Sequence, residues 1–307
     1  MAAAIPLMRT AMAQVSAGGA VLPLRQFMTV PGTAGKMAVM PGALADPATF
    51  GVKIVSKFPR VPGDPHGTHV GAVMIFTAEN GLPLALIDGA SLTEIRTAAT
   101  SAMATDVLAR EDARHLLILG AGEQARAHVT ALRLVRAFDH VTIWARDRSK
   151  ASALAELIGG SVADNLDSEV AKADVICTTT GAATPILNGV TLVPGVHVNL
   201  VGSAVATSAE ADGEVVRRSR FYVDSLPAAL AAAGELRDAI ASGMVKTNHV
   251  AGEIGHVLLG LVPGRNTPDE ITVYKSLGLT AQDLIAAHAV WLAAEAQGLG
   301  VEINLED

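Results

Sequence analysis

The residues best suited to chemistry begin at a turn, Gly120-Ala121-Gly122-Glu123-Gln124-Ala125, set between an apolar run and a helical pattern. Leu116 to Leu119 read as a buried parallel strand. The glycines permit a tight turn and a close backbone approach to a pyrophosphate. The helix beyond them aims free N–H groups and its positive dipole end at the phosphates. Ala125, in the third small position, keeps the helix close to the strand. A second strand, His140–Trp144, follows at the right distance, so the stretch predicts a dinucleotide site built on Gly120, Gly122, Glu123 and Gln124. After Trp144 comes Ala145-Arg146-Asp147-Arg148. An acidic residue there would grip the ribose of NAD, and an arginine would receive the 2′-phosphate of NADP. Arg146 predicts NADP(H), with Asp147 as the contrary sign and NAD(H) still open. A plain solvated turn is the alternative to both.

A second chemical signal is Lys53, which sits between Val52 and Ile54 in a stretch with a strand's alternation. A lysine buried there needs a partner, because an unpaired ammonium is costly away from water.

These residues need two kinds of scaffold. From 112 to 298 strand and helix patterns alternate, which predicts a Rossmann-type doubly wound parallel sheet. Ligands bind such sheets at the carboxyl ends of the strands, where Thr178, Thr180 and the turn Val201-Gly202-Ser203 fall. Helices are expected at 124–135, 150–158, 209–217, 227–242 and 281–297. Residues 1–111 instead show short strands punctuated by Pro31-Gly32, Pro41-Gly42, Pro62-Gly63 and Asn80-Gly81. They predict a smaller α+β substrate-binding and dimerisation domain, to which a short strand at 301–305 would return. The overall class is α/β.

Composition narrows the function. Half of the 307 residues are hydrophobic and 17% are charged, which describes a globular chain and not a disordered one. A net charge of −7 without a basic run argues against nucleic acid. No apolar run is long enough to span a membrane, and the N-terminal stretch reads as an amphipathic helix. The single cysteine, Cys177, excludes an intrachain disulfide and fits a cytoplasmic protein. Its apolar surroundings make it buried filler. His66, His128, His249, His256 and His288 show no ligand spacing, so no metal site is expected.

Four stretches together resemble the ornithine cyclodeaminase/mu-crystallin family: GVKIVSKFP (51–59), LIDGASLTEIRTAATSA (86–102), ILGAGEQA (118–125) and ITVYKSLGLTAQDL (271–284). The resemblance spans nearly the whole chain. It implies that Arg25, Lys53 and Arg96 hold the carboxylate of an α-amino or α-imino acid against a nicotinamide, with Lys53 also in a catalytic role. An arginine fork suits a carboxylate, and a desolvated lysine suits carboxylate or imine chemistry. The resemblance also places Thr68, Arg96 and Leu277 by the cofactor and makes His69 a candidate proton donor or carboxylate contact. A homodimer built on the first domain is implied as well.

One departure separates activities within the family. Its cyclodeaminases carry an acid/base aspartate after the glycine turn of a late strand, and Ala204 stands there in this chain. The sequence therefore resembles the reductase branch, which implies NAD(P)H-dependent reduction of a cyclic 2-imino acid such as Δ1-pyrroline-2-carboxylate to an L-amino acid. Ornithine cyclisation with ammonia loss, an alanine-dehydrogenase-like reaction, and a cofactor-carrying binding protein are the alternatives.

Overall fold

The computed structural model describes residues 1–59, 67 and 69–303, and of His69 the backbone alone. The chain forms two compact units, Met1–Ala17 with Glu94–Leu279 and Gly18–Thr93 with Thr280–Asp307.

Helix α1 (Ala4–Ser16) buries Ile5, Met8 and Met12 at the spacing of one helical face. Six strands follow: β1 (Ala20–Val21), β2 (Gln26–Thr29), β3 (Lys36–Leu44), β4 (Thr49–Lys57), β5 (His69–Thr77) and β6 (Pro83–Asp88). They pair antiparallel in the order β1-β3-β4-β5-β6, with β2 also on β3. The alternation of β4 buries Thr49, Gly51 and Lys53 and exposes Phe50 and Ile54. Register sets Lys53 opposite Met40 on β3 and Val73 on β5, both buried. Helix α2 (Gly89–Leu108) is buried without a break from Arg96 to Thr105.

The parallel unit then runs β7 (His115–Leu119), α3 (Glu123–Leu132), β8 (His140–Trp144), α4 (Arg148–Ile158), β9 (Ser161–Val162), α5 (Leu166–Val170), β10 (Val175–Thr178) and β11 (His197–Leu200). It continues with α6 (Gly213–Arg218), β12 (Ser219–Val223), α7 (Leu226–Ala232), α8 (Gly234–Ala241), β13 (Val250–Glu253), α9 (Ile254–Leu258) and β14 (Ile271–Lys275). All eight strands are parallel, in the order β13-β12-β14-β11-β10-β7-β8-β9. The chain winds outward from β7 to β9 and then restarts on β7's other side with β10. That reversal is the switch point at which such sheets bind ligands. Helix α10 (Thr280–Gln297) returns to the antiparallel sheet and lies against β3, β4 and β5. Among the described residues no helix is long and apolar enough to cross a membrane.

The α/β class, with a Rossmann-like parallel sheet and a separate antiparallel sheet, is as the sequence predicts. Several details differ. The units do not divide at 111/112: α1 and residues 94–111 group with the parallel unit, and α10 groups with the antiparallel one. The helix expected over 227–242 breaks at Ala233, whose ψ of 99° is not helical. Gly234 there approaches the Ser208 carbonyl so closely that a Cβ would lie 2.1 Å from it. The helix expected from 209 starts only at Gly213, capped by Asp212, because Ala211 bridges to Leu187 in extended backbone. Residues 301–303 form no strand, and the rest of that expected strand lies outside the described residues.

Candidate active site

In the parallel unit, β7 delivers the chain to Gly120, whose φ is +125°. A Cβ there would lie 2.6 Å from the Thr179 hydroxyl, so only glycine lets this turn pass the loop after β10. Gly122 is exposed and caps α3, with open space where a Cβ would be. Glu123 and Gln124 form the helix's first turn, and Ala125 is fully buried. Gln124 keeps a buried Oε1 with no hydrogen-bond partner among the described residues. An open glycine cradle at a helix N-terminus with an orphaned polar atom beside it fits a dinucleotide. Behind the turn His128 accepts from the Ser101 hydroxyl (2.9 Å) and donates from Nδ1 to the Gln124 carbonyl (2.7 Å). Burial pushes this histidine down to about 4, which leaves it neutral at pH 7.

The charged turn after β8 sorts itself. Asp147 caps α4 through Ser149 N and Lys150 N, and the Ser149 hydroxyl holds its carboxyl below the usual range. Arg148 pairs with Asp164 at 2.5 Å. Arg146 is exposed, with no hydrogen bond or ion pair to another described residue.

The loops after β10 and β11 converge on one carboxylate that the sequence reasoning did not single out. Glu210, fully buried, accepts from Thr178 Oγ1 (2.6 Å), Thr180 N and Oγ1 (both 2.7 Å), Gly202 N (2.6 Å) and Ser203 N (3.3 Å). The hydroxyls of Thr178 and Thr180 thus face inward. Val201 N bonds the Thr178 carbonyl, and the Ser203 hydroxyl donates to the Ser208 carbonyl. Below them lies a buried ion pair, also not foreseen: Lys275 Nζ donates to Glu235 at 3.1 Å and to the Ser203 carbonyl at 2.7 Å. Arg96 is 5% exposed beside Gly278, where a Cβ would lie 2.7 Å from its guanidinium. Buried Asp224 fixes that loop by accepting from Leu277 N (2.7 Å) and Gly278 N (2.8 Å). The Tyr274 phenol is raised well above its usual range, first by burial and then by the Asp224 charge.

In the antiparallel unit Lys53 has its expected partner. Its Nζ donates to Asp283 Oδ1 on α10 at 2.9 Å and to the Thr93 hydroxyl at 2.5 Å, with Lys53 2% exposed. Asp283 lies in the stretch LTAQDL, and its signal was a lone charge in an apolar, α-helical setting. Arg25 is half-buried just before β2. His69 begins β5 opposite Lys57 in register, and Thr68 lies outside the described residues.

A cavity of about 620 Å³ lies at the amino-terminal ends of β12 and β14. Its Arg218 and Arg220 are matched by Asp269 and Glu270, and none of the candidate residues line it. The glycine turn lies at the strands' other end.

The model of the ornithine cyclodeaminase/mu-crystallin family matches residues 1–298. The chain belongs to that family. It is 35% identical over 301 residues to a Δ1-pyrroline-2-carboxylate reductase of Bacillus cereus, covering 96% of this chain and 92% of that one. It is 35% identical over 292 residues to the ketimine reductase mu-crystallin of Mus musculus, covering 94% and 90%. Its fold superposes with a TM-score of 0.93 on a Thermococcus litoralis Δ1-pyrroline-2-carboxylate reductase in complex with NADH and L-proline, at 29% identity over 98% of this chain and 95% of that one. The chain is an oxidoreductase of the family, with an NAD(P)-binding unit.

The Lys53–Asp283 pair generates a stability prediction. Asp283→Leu strips a buried ammonium of its counter-charge and should destabilise the protein by ~3–5 kcal/mol. Lys53→Met combined with Asp283→Leu should recover much of that loss in chemical denaturation. A single variant as stable as the wild type would show that the two charges are not coupled.

Proposed function

We propose that this chain is an NAD(P)H-dependent reductase of a cyclic 2-imino acid, Δ1-pyrroline-2-carboxylate or a similar ketimine, yielding the L-amino acid. The observation that carries the reading lies in the turn after β11. Ala204 stands where a cyclodeaminase of this family has its acid/base carboxylate. The carboxylate that does touch the turn, Glu210, already accepts five hydrogen bonds. Neither residue serves an amine as a base, and a protonated imine does not need one.

In this mechanism Arg25, Lys53 and Arg96 hold the substrate carboxylate, the arginines by paired N–H donors and Lys53 as a point charge fixed by Asp283. The bound dinucleotide supplies a hydride to the imine carbon. The C=N electron pair moves onto nitrogen, which arrives protonated and leaves as an amine. His69 is the residue assigned to a proton should one move. Fixing the two reactants in a reactive orientation supplies much of the acceleration. Arg146 would receive a 2′-phosphate, which favours NADPH over NADH. A homodimer through the antiparallel unit belongs to the same proposal, supported by β2, all of whose residues, Phe27 and Met28 among them, are exposed.

Two experiments test this reading. Given Δ1-pyrroline-2-carboxylate, the enzyme should oxidise NAD(P)H steadily. Ammonia release from L-ornithine should be slower by ~10²–10⁴-fold, the usual cost of a missing general base. Ornithine deamination at a comparable rate would overturn the reductase assignment. Arg146→Ala should weaken NADPH by about ten- to a hundredfold, the worth of a charge-assisted hydrogen bond, and leave NADH nearly unchanged. Equal losses for both would make Arg146 peripheral to cofactor choice.

A further inference from the structure

We propose that Glu210 is a positioning residue for the dinucleotide: its buried carboxylate shapes the two loops, 178–181 and 201–203, on which the nicotinamide half must rest. The proposal builds on the dinucleotide part of the functional reading and not on the identity of the imine. These loops leave the carboxyl ends of β10 and β11, and the first abuts Gly120 at the switch point.

The carboxylate is divided between the loops. Oε1 takes the amide and hydroxyl of Thr180, while Oε2 takes the Thr178 hydroxyl and the amides of Gly202 and Ser203. At Gly202 a Cβ would lie 2.1 Å from the Thr180 carbonyl and 2.4 Å from Glu210 Oε1. The loops therefore approach closely with the carboxylate wedged between them. Glu210 is itself anchored through its backbone. Its carbonyl accepts from Ile186 N and Leu187 N, and its amide donates to Glu235 Oε1 at 3.0 Å. Glu235 in turn is held by Lys275, whose ammonium also grips the Ser203 carbonyl. Both carboxylate oxygens are occupied, so Glu210 acts through the loops and not on a ligand directly.

Glu210→Gln keeps the shape but turns an NH₂ group toward amide donors on one loop or the other. The amide of Thr180, or those of Gly202 and Ser203, then faces a donor. The readout is the dissociation constant of NADH and of NADPH, measured by fluorescence titration of the purified protein without imine. The expected result is a rise of tenfold or more for both dinucleotides, in a variant whose far-ultraviolet circular dichroism is unchanged. Val170→Ala, a core truncation on α5, controls for general loosening and should bind as the wild type does. Thr180→Val removes one donor to the carboxylate, together with the acceptor of Ala182 N at 3.2 Å, and should weaken binding about threefold, a result that decides the matter if Glu210→Gln does not fold. Binding within twofold of wild type in Glu210→Gln, or in Thr180→Val where that variant stands in for it, would overturn the proposal. An equal loss in Val170→Ala would do the same. A wild type that binds dinucleotide but reduces no imine would count against the functional reading alone.

Discussion

A charge removed from water must meet an opposite charge or a set of hydrogen bonds, and that constraint arranges both units of this protein. Lys53 illustrates it in the antiparallel unit. The strand's alternation drives its side chain into the face that α10 covers, among Met40 and Val73. The unit keeps an ammonium there because α10 brings Asp283 to it and α2 brings Thr93. Pairs of this kind add little net stability compared with an apolar core. What they contribute is a cation held at one place and in one orientation. The parallel unit repeats the device with opposite sign, burying Glu210 under five donors and backing it with Lys275 and Glu235.

The two devices suit a reduction of an already activated substrate. In the proposed reaction a fixed cation set would neutralise a carboxylate, a rigid loop surface would receive a dinucleotide, and little proton traffic would be required. On the proposed reading, Ala204 takes the place of the carboxylate that a lyase of the same family needs near its amine. The carboxylate that does touch this turn, Glu210, accepts five hydrogen bonds from the two loops.

What was legible in the sequence had local causes. The glycine turn at 120–125 announces itself because strand, tight turn and helix are contiguous, and Gly120's positive φ and Gly122's open cap realise it. The need for a partner at Lys53 followed from alternation alone, although the partner lies 230 residues away and no local pattern names it. Glu210 stayed hidden for a related reason. Ala209 to Asp212 look helical by composition, but Glu210 is claimed by donors from two loops, and Ala211 is drawn into a bridge with Leu187. The break at Ala233 is a tertiary effect too, set by the close approach of Gly234 to the Ser208 backbone. Asp147 could be read as a ribose ligand until its role as the cap of α4 was visible.

In the proposed reaction hydride passes from a dihydronicotinamide to the imine carbon of a carboxylate-anchored ring. Deuterium follows that path most directly. Δ1-pyrroline-2-carboxylate incubated with the enzyme and a dinucleotide deuterated at the transferable C4 position should give L-proline carrying one deuterium at its α-carbon. Proline formed without that deuterium, or no proline while the dinucleotide is consumed, would contradict the account.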